Sequence, residues 1–164
     1  MHTRFSDGKN WHADHIARAK ELGIRKMGVA DHICLNPVNW AVPFDQIDKM
    51  IERMQELKKE NTDDFNLLFG VEMDYFPGRE AEIKSVIEQI PVDYVIGSIH
   101  FLGDWNYDTD KYGYADKDID GLYHEYFQCV QKAAKSGLFD ILGHLDLIKK
   151  FQIWPNSNNR KSVV

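Results

Sequence analysis

Four short apolar runs in this chain each lead into a histidine or a glutamate, and that recurrence limits the folds open to it. Met27 to Ala30 leads to Asp31 and His32, Phe65 to Val71 to Glu72, Val92 to Ile99 to His100, and Leu138 to Gly143 to His144. His2 stands where a further strand, its body ahead of Met1, would end. Successive members of this set are 30, 40, 28 and 44 residues apart. One strand-plus-helix unit needs about 30 residues, so each gap accommodates one unit. In a parallel α/β barrel every strand points the same way. Residues at successive strand ends therefore meet on one rim, where such barrels carry their active sites.

The segments between the runs have the period of helices. Residues 10–22 carry helix formers and close at Gly23, and 44–60 place Ile47, Met50, Ile51, Met54 and Leu57 on one face. Residues 79–89 and 119–136 are also expected to be helical, the latter stopping at Gly137. This alternation predicts an α/β fold with a parallel sheet of about four strands. No linker or low-complexity stretch interrupts it, so residues 1–164 are expected to form a single domain. Residues 102–118 are too long and polar for a simple turn and are expected to form a functional loop. There Trp105, Tyr107, Tyr112 and Tyr114 interleave with aspartates, either walling a substrate pocket or packing the loop onto the sheet. The tail from Ile153 reads as loop.

Four imidazoles and a carboxylate on one rim constitute a metal site by chemistry. Neutral imidazole with carboxylate suits Zn, Mn or Fe, and one Glu among several His can bridge two cations. Cysteine is absent from the set, which argues against a closed structural zinc site. Asp7, in the tripeptide SDG, is either a further acidic ligand or a turn and cap residue. His12 and His15 share one face of the first helix and are expected in a solvated first turn. His124 opens HEYFQ, which lacks the second His of a zinc-protease helix, and is expected on a helix surface.

The formal net charge of -6 argues against nucleic-acid binding, which needs a basic stripe. It permits a small phosphate ester held through cations. Cys34 and Cys129 lie far apart and form no CxxC pair, as in a reduced, cytoplasmic protein. No run reaches the roughly 18 apolar residues of a membrane span, and the polar start argues against a signal peptide.

Five segments together carry a family resemblance: HTRFSDG at 2–8, ADH at 30–32, GVEMDY at 70–75, GSIHFL at 97–102 and FDILGHLDLIKKF at 139–151. In this order and at these gaps the chain resembles the histidinol-phosphatase branch of the PHP (polymerase and histidinol phosphatase) family. The resemblance implies a partial, distorted (β/α)7, TIM-like barrel with a centre of two or three divalent ions at its C-terminal rim. By motif, His2 matches the second histidine of the family's first His-x-His, and Asp7 its acidic position. His32 matches the second motif, Glu72 the bridging carboxylate, and His100 and His144 the next two histidine ligands. Asp31 stands where it would orient the His32 imidazole. The implied activity is metal-dependent hydrolysis of L-histidinol phosphate to histidinol and phosphate, in histidine biosynthesis, with residues 102–118 covering the substrate. Two departures stand out. The first histidine of His-x-His would precede Met1, and the C-terminal Asp-x-His has no counterpart, so the domain is expected to be incomplete at both ends and the chain alone to bind metal weakly. The alternatives are another PHP phosphoesterase and a non-catalytic, metal-binding PHP fragment.

Overall fold

Val, Ile, Phe and Met concentrate in runs without polar alternation, as strands buried on both faces require. The computed structural model describes residues 1–156. In chain order the elements are α1 (His12–Glu21), β1 (Lys26–Ile33), α2 (Ile47–Lys58), β2 (Asn66–Asp74), α3 (Glu80–Ile87), β3 (Tyr94–Ser98), β4 (Phe101–Leu102), β5 (Trp105–Asn106), α4 (Ile119–Ser136) and β6 (Ile141–Leu142). The strands β1, β2, β3 and β6 form one sheet in that order, every pair parallel. Each parallel step needs a crossover, and α2, α3 and α4 supply the three.

The core lies between these helices and the sheet. Val71 and Met73 from β2 and Ile83 from α3 have no exposed surface. Met50, Met54 and Leu57 bring the apolar stripe of α2 onto the same cluster. Each such side chain contributes about 1.5–3 kcal/mol by leaving water. Gly137 ends α4 in the left-handed region (φ 69), where a side chain would strain the backbone.

The parallel α/β architecture agrees with the sequence reading, with adjustments. β1 and β2 extend further than their apolar runs, because their ladder continues through Ile33 and Met73. His32 and Glu72 are thus inside strands rather than just beyond them. The run 138–143 shrinks to the two residues of β6. Residues 102–118 are not a plain loop. Phe101–Leu102 and Trp105–Asn106 form an antiparallel hairpin around Gly103, and Tyr112–Tyr114 make a 3-10 turn. Tyr107 is fully buried and Tyr114 nearly so, which favours packing for these two rings, whereas Tyr112 is exposed. The tail is without helix or strand from Ile153 to Asn156, and residues 157–164 fall outside the described part.

Candidate metal centre

Register places the first two donors side by side. His32 on β1 is the cross-strand partner of Glu72 on β2, so their side chains leave neighbouring strands on the same face. Asp74, two residues beyond Glu72, shares that face and pairs with Ser98 on β3. His100 follows β3 and His144 follows β6 by two residues each. His2 is held beside β1, where the Ala30 N–H donates to the Met1 carbonyl at 2.9 Å. The segment after it folds back so tightly that a Cβ on Gly8 would sit 2.3 Å from the His2 carbonyl oxygen, so only glycine fits there.

The four expected histidine donors gather around Glu72, and Asp7 approaches one of them. Glu72 Oε2 lies 3.7 Å from His2 Nε2. Its Oε1 lies 3.2 Å from His144 Nε2, 3.8 Å from His32 Nδ1 and 3.9 Å from His100 Nε2. Asp7 Oδ1 approaches His32 Nε2 at 3.9 Å. Two groups with metal-ligand spacing result, His2–His32–Glu72 and Glu72–His100–His144, and they share the carboxylate.

The donor set fits divalent cations. Most of these separations are too long for hydrogen bonds. They are close to the roughly 3–3.5 Å between ligands that tetrahedral coordination at about 2.0–2.1 Å gives. His32 Nδ1 is buried and has no hydrogen-bond partner, a costly state for a polar atom unless something else satisfies it. Three imidazole rings crowd together, His2 stacked on His32 at 4.2 Å and His100 edge-on to His32 at 5.3 Å. Imidazole nitrogens with a central carboxylate suit zinc-like ions.

The imidazoles are aimed from behind. His2 Nδ1 donates to the Ala30 carbonyl at 2.6 Å, and His100 Nδ1 donates to Asp74 Oδ1 at 2.8 Å. In both, the proton is fixed on Nδ1 and Nε2 is left facing Glu72. Ser98 Oγ donates to Glu72 Oε1 at 2.7 Å, and the Tyr126 hydroxyl donates to the His144 carbonyl at 2.9 Å. Asp31 does not orient His32. Side chains alternate along a strand, so Asp31 points to the other side. There its carboxylate accepts from Thr3 N, Thr3 Oγ1 and Ser6 Oγ at 2.6, 2.8 and 2.6 Å. It anchors the segment that carries His2 and Asp7.

Electrostatics follow from this crowding. Burial pushes the Glu72 carboxyl up. The His144 hydrogen bond, the His32 charge and the Ser98 hydrogen bond outweigh it and bring the carboxyl down to about 2. Burial lowers His32, with Glu72 opposing. For His100 burial also acts downward, but the hydrogen bond and charge of Asp74 prevail and raise it. The cluster therefore presents an ionised carboxylate among imidazoles of differing basicity.

A cavity of about 540 Å³ opens on the site, and Asp7, His32, His100, Trp40, Asn106 and Asp108 are among its lining residues. Residues of the 102–118 segment do reach this pocket, through Asn106, Asp108 and Thr109 rather than through the aromatic side chains. Sequence reasoning missed Asp74, although the alternation in Glu-Met-Asp puts it on the face of Glu72. It also missed Trp40, whose ring meets those of His32 and His100 edge-on at 5.0 and 5.1 Å; no sequence pattern marks it. His12 departs from its expected solvated place and is buried between Phe5 and Phe69. The first turn of α1 faces the sheet there, and its ring completes that contact. His124 is exposed on α4, as expected.

The model for the PHP domain family matches residues 1–162. A Deinococcus radiodurans protein named "Probable histidinol-phosphatase" is 34% identical over 143 residues, covering 84% of this chain and 55% of that protein. The histidinol-phosphatase of Lactococcus lactis is 24% identical over 156 residues, covering 92% and 56%. The chain thus spans little more than half the length of these relatives. The crystal structure of the Lactococcus lactis histidinol phosphate phosphatase, complexed with zinc, L-histidinol and phosphate, matches with a TM-score of 0.74 at 22% identity, covering 92% of this chain and 57% of that one. A Listeria monocytogenes structure provisionally named a histidinol phosphatase matches with a TM-score of 0.83 at 21% identity, covering 99% and 72%.

Proposed function

The chain belongs to the PHP domain family, and on that premise we propose that its protein is a metal-dependent phosphomonoesterase that hydrolyses L-histidinol phosphate to histidinol and phosphate. The observation that carries this reading is the pair of donor groups sharing Glu72 at the mouth of a cavity. The relatives named for this activity support the substrate.

In this reading His2, His32 and Glu72 would hold one divalent ion and Glu72, His100 and His144 a second, with Asp7 beside His32 available to the first or to a third. Bound cations supply charge to neutralise the phosphoryl oxygens and acidify water. The residues of the chain supply fixed positions. The Ala30 carbonyl and the Asp74 carboxylate hold the Nδ1 sides of His2 and His100 and so aim their Nε2 atoms at the site. Ser98 holds one oxygen of Glu72. Trp40 closes one wall beside the imidazoles. Pre-set groups of this kind cost no reorganisation as charge develops.

The four parallel strands in sequential order are read as one arc of a distorted (β/α)7 barrel, within a single PHP domain, with the donors on its C-terminal rim. Both cysteines are free and buried, in keeping with a reducing, cytoplasmic setting. No helix among the described residues is long and apolar enough to cross a membrane.

Glu72→Gln in the full-length protein tests the assignment. It removes the shared charge, and both bound metal and turnover of histidinol phosphate are expected to fall more than about 100-fold. Unchanged metal content with unchanged turnover would sink the reading.

A further inference from the structure

The two donor groups are held in different ways. In the first, His32 and Glu72 stand inside a ladder of eight paired positions, and the His2 ring is tied to the Ala30 carbonyl. The second depends on His144, which lies beyond a strand of two residues. That strand pairs with β3 at Ile96↔Ile141 and Gly97↔Leu142. The last bond between them, from the Gly143 N–H to the Gly97 carbonyl at 2.9 Å, ends one residue short of His144. Among the described residues no hydrogen bond holds the His144 Nδ1, unlike that of His2 or His100. A tyrosine holds the backbone instead. Tyr126, on α4 and 1% exposed, donates its hydroxyl hydrogen to the His144 carbonyl at 2.9 Å and accepts from the Leu147 N–H at 3.2 Å. It thereby ties both ends of the turn 144–147 to the helix. Its ring meets that of fully buried Tyr107 edge-on at 5.7 Å. Tyr107 in turn donates to the carbonyl of Ile99, next to His100.

We propose that Tyr126 is the positioning residue for His144 and sets how tightly the group Glu72–His100–His144 holds its cation. The inference rests on the metal-centre reading above. It adds that the two groups are tuned separately, the first by the β1–β2 ladder and the second by a hydroxyl on a helix. Without that hydroxyl the His144 carbonyl keeps only the Leu147 N–H of its own turn. The imidazole then hangs on a backbone that neither ladder nor helix fixes. A bond of about 2.0–2.1 Å from nitrogen to a cation tolerates little wandering of the donor. His2 and His32 make no contact with Tyr126, and their ties to β1 and β2 stay as they are.

The test is a zinc titration of the metal-free, full-length protein in competition with a chelator. His144→Ala identifies the binding step that belongs to the second group. Tyr126→Phe keeps the ring and its packing against Tyr107 and Phe127 and removes only the hydroxyl. It is expected to weaken the step marked by His144→Ala about tenfold, the lower end of what the outer partners of metal ligands contribute. Every other step is expected to stay within about twofold. Tyr123→Phe is the control. Its hydroxyl, three residues earlier on α4, donates to the Ile153 carbonyl at 2.8 Å, and its loss is expected to move no zinc step. Equal weakening of every step, no weakening, or the same pattern in Tyr123→Phe overturns the inference. So does a Tyr126→Phe protein that cannot fold, since the hydroxyl would then serve the core rather than the metal. Failure of the metal-centre reading looks different: the wild type takes up no zinc, or His144→Ala removes no step, and the inference falls with it.

Discussion

Asp31→Ala gives the sharpest test of how the metal site is held. Asp31 is 3% exposed and accepts three hydrogen bonds, two from Thr3, which has no exposed surface, and one from half-buried Ser6. A hydrogen bond to a charged group contributes about 1.5–3 kcal/mol, and a buried donor left without its acceptor costs a similar amount. Ser6 can turn to water, so its bond counts for little. The two Thr3 bonds share one residue and are not additive. The expected loss is therefore about 3–5 kcal/mol, a large part of the 5–15 kcal/mol that stabilises an ordinary domain. Asp31→Asn keeps one acceptor oxygen and is expected to lose about half as much. Urea unfolding of the metal-free protein measures both, the midpoint falling with the slope unchanged. The same anchor positions His2 and Asp7, so zinc affinity under native conditions is expected to drop by about 10–100-fold. A stability loss below about 1 kcal/mol, or full zinc affinity in a folded Asp31→Ala protein, would refute the argument that Asp31 supports the site from behind.

Asp74→Asn keeps the acceptor for the His100 N–H but removes the charge that raises His100. Cation affinity, measured by competition with a chelator, is expected to weaken about 10–100-fold with little change in fold, and equal affinity would contradict the role given to Asp74. His12 supplies a pH test. Burial lowers it from its ordinary 6.5, so the unfolded chain takes up the proton first. Its contribution is complete above pH 6.5 and is lost as pH falls below that value, by up to about 1.4 kcal/mol per pH unit. The stability difference between wild type and His12→Leu is expected to shrink from pH 7.5 to pH 5, and a constant difference would show that His12 is not buried neutral.

The sheet was legible because its signal is apolar density. Leu67 to Val71 and Val95 to Ile99 are buried except at the half-buried Leu68 and Ile96. The stripe of α2 and the glycine stop of α4 were legible through period and backbone freedom. What stayed hidden was whatever depends on a neighbour distant in the chain. A charged residue reads as the end of a strand, yet the ladder carried β2 past Glu72 to Asp74 because β3 offered partners there. Asp31 looked like a companion of His32 by adjacency, while strand geometry turns adjacent side chains to opposite faces. The hairpin of β4 and β5 has only two residues on each side, too few to leave a periodic trace. Trp40 and Asp108 enter the cavity by the course of loops, and His12 is buried by a face of the sheet that local sequence does not describe. The clustered histidines were legible because His32, His100 and His144 each close an apolar run in successive units.

The pairing of His32 with Glu72 in a parallel ladder bears on how such a chain can change over time. Helices and loops between the strands tolerate added or lost residues, since nothing in the donor spacing depends on their length. A single residue gained or lost inside β1 or β2 is different. It turns every later side chain in that strand to the opposite face and would send an imidazole or the shared carboxylate away from its companions in one step. Length variation among relatives is therefore expected to collect in the crossovers, while the eight paired positions from Lys26↔Asn66 to Ile33↔Met73 stay free of insertions and deletions.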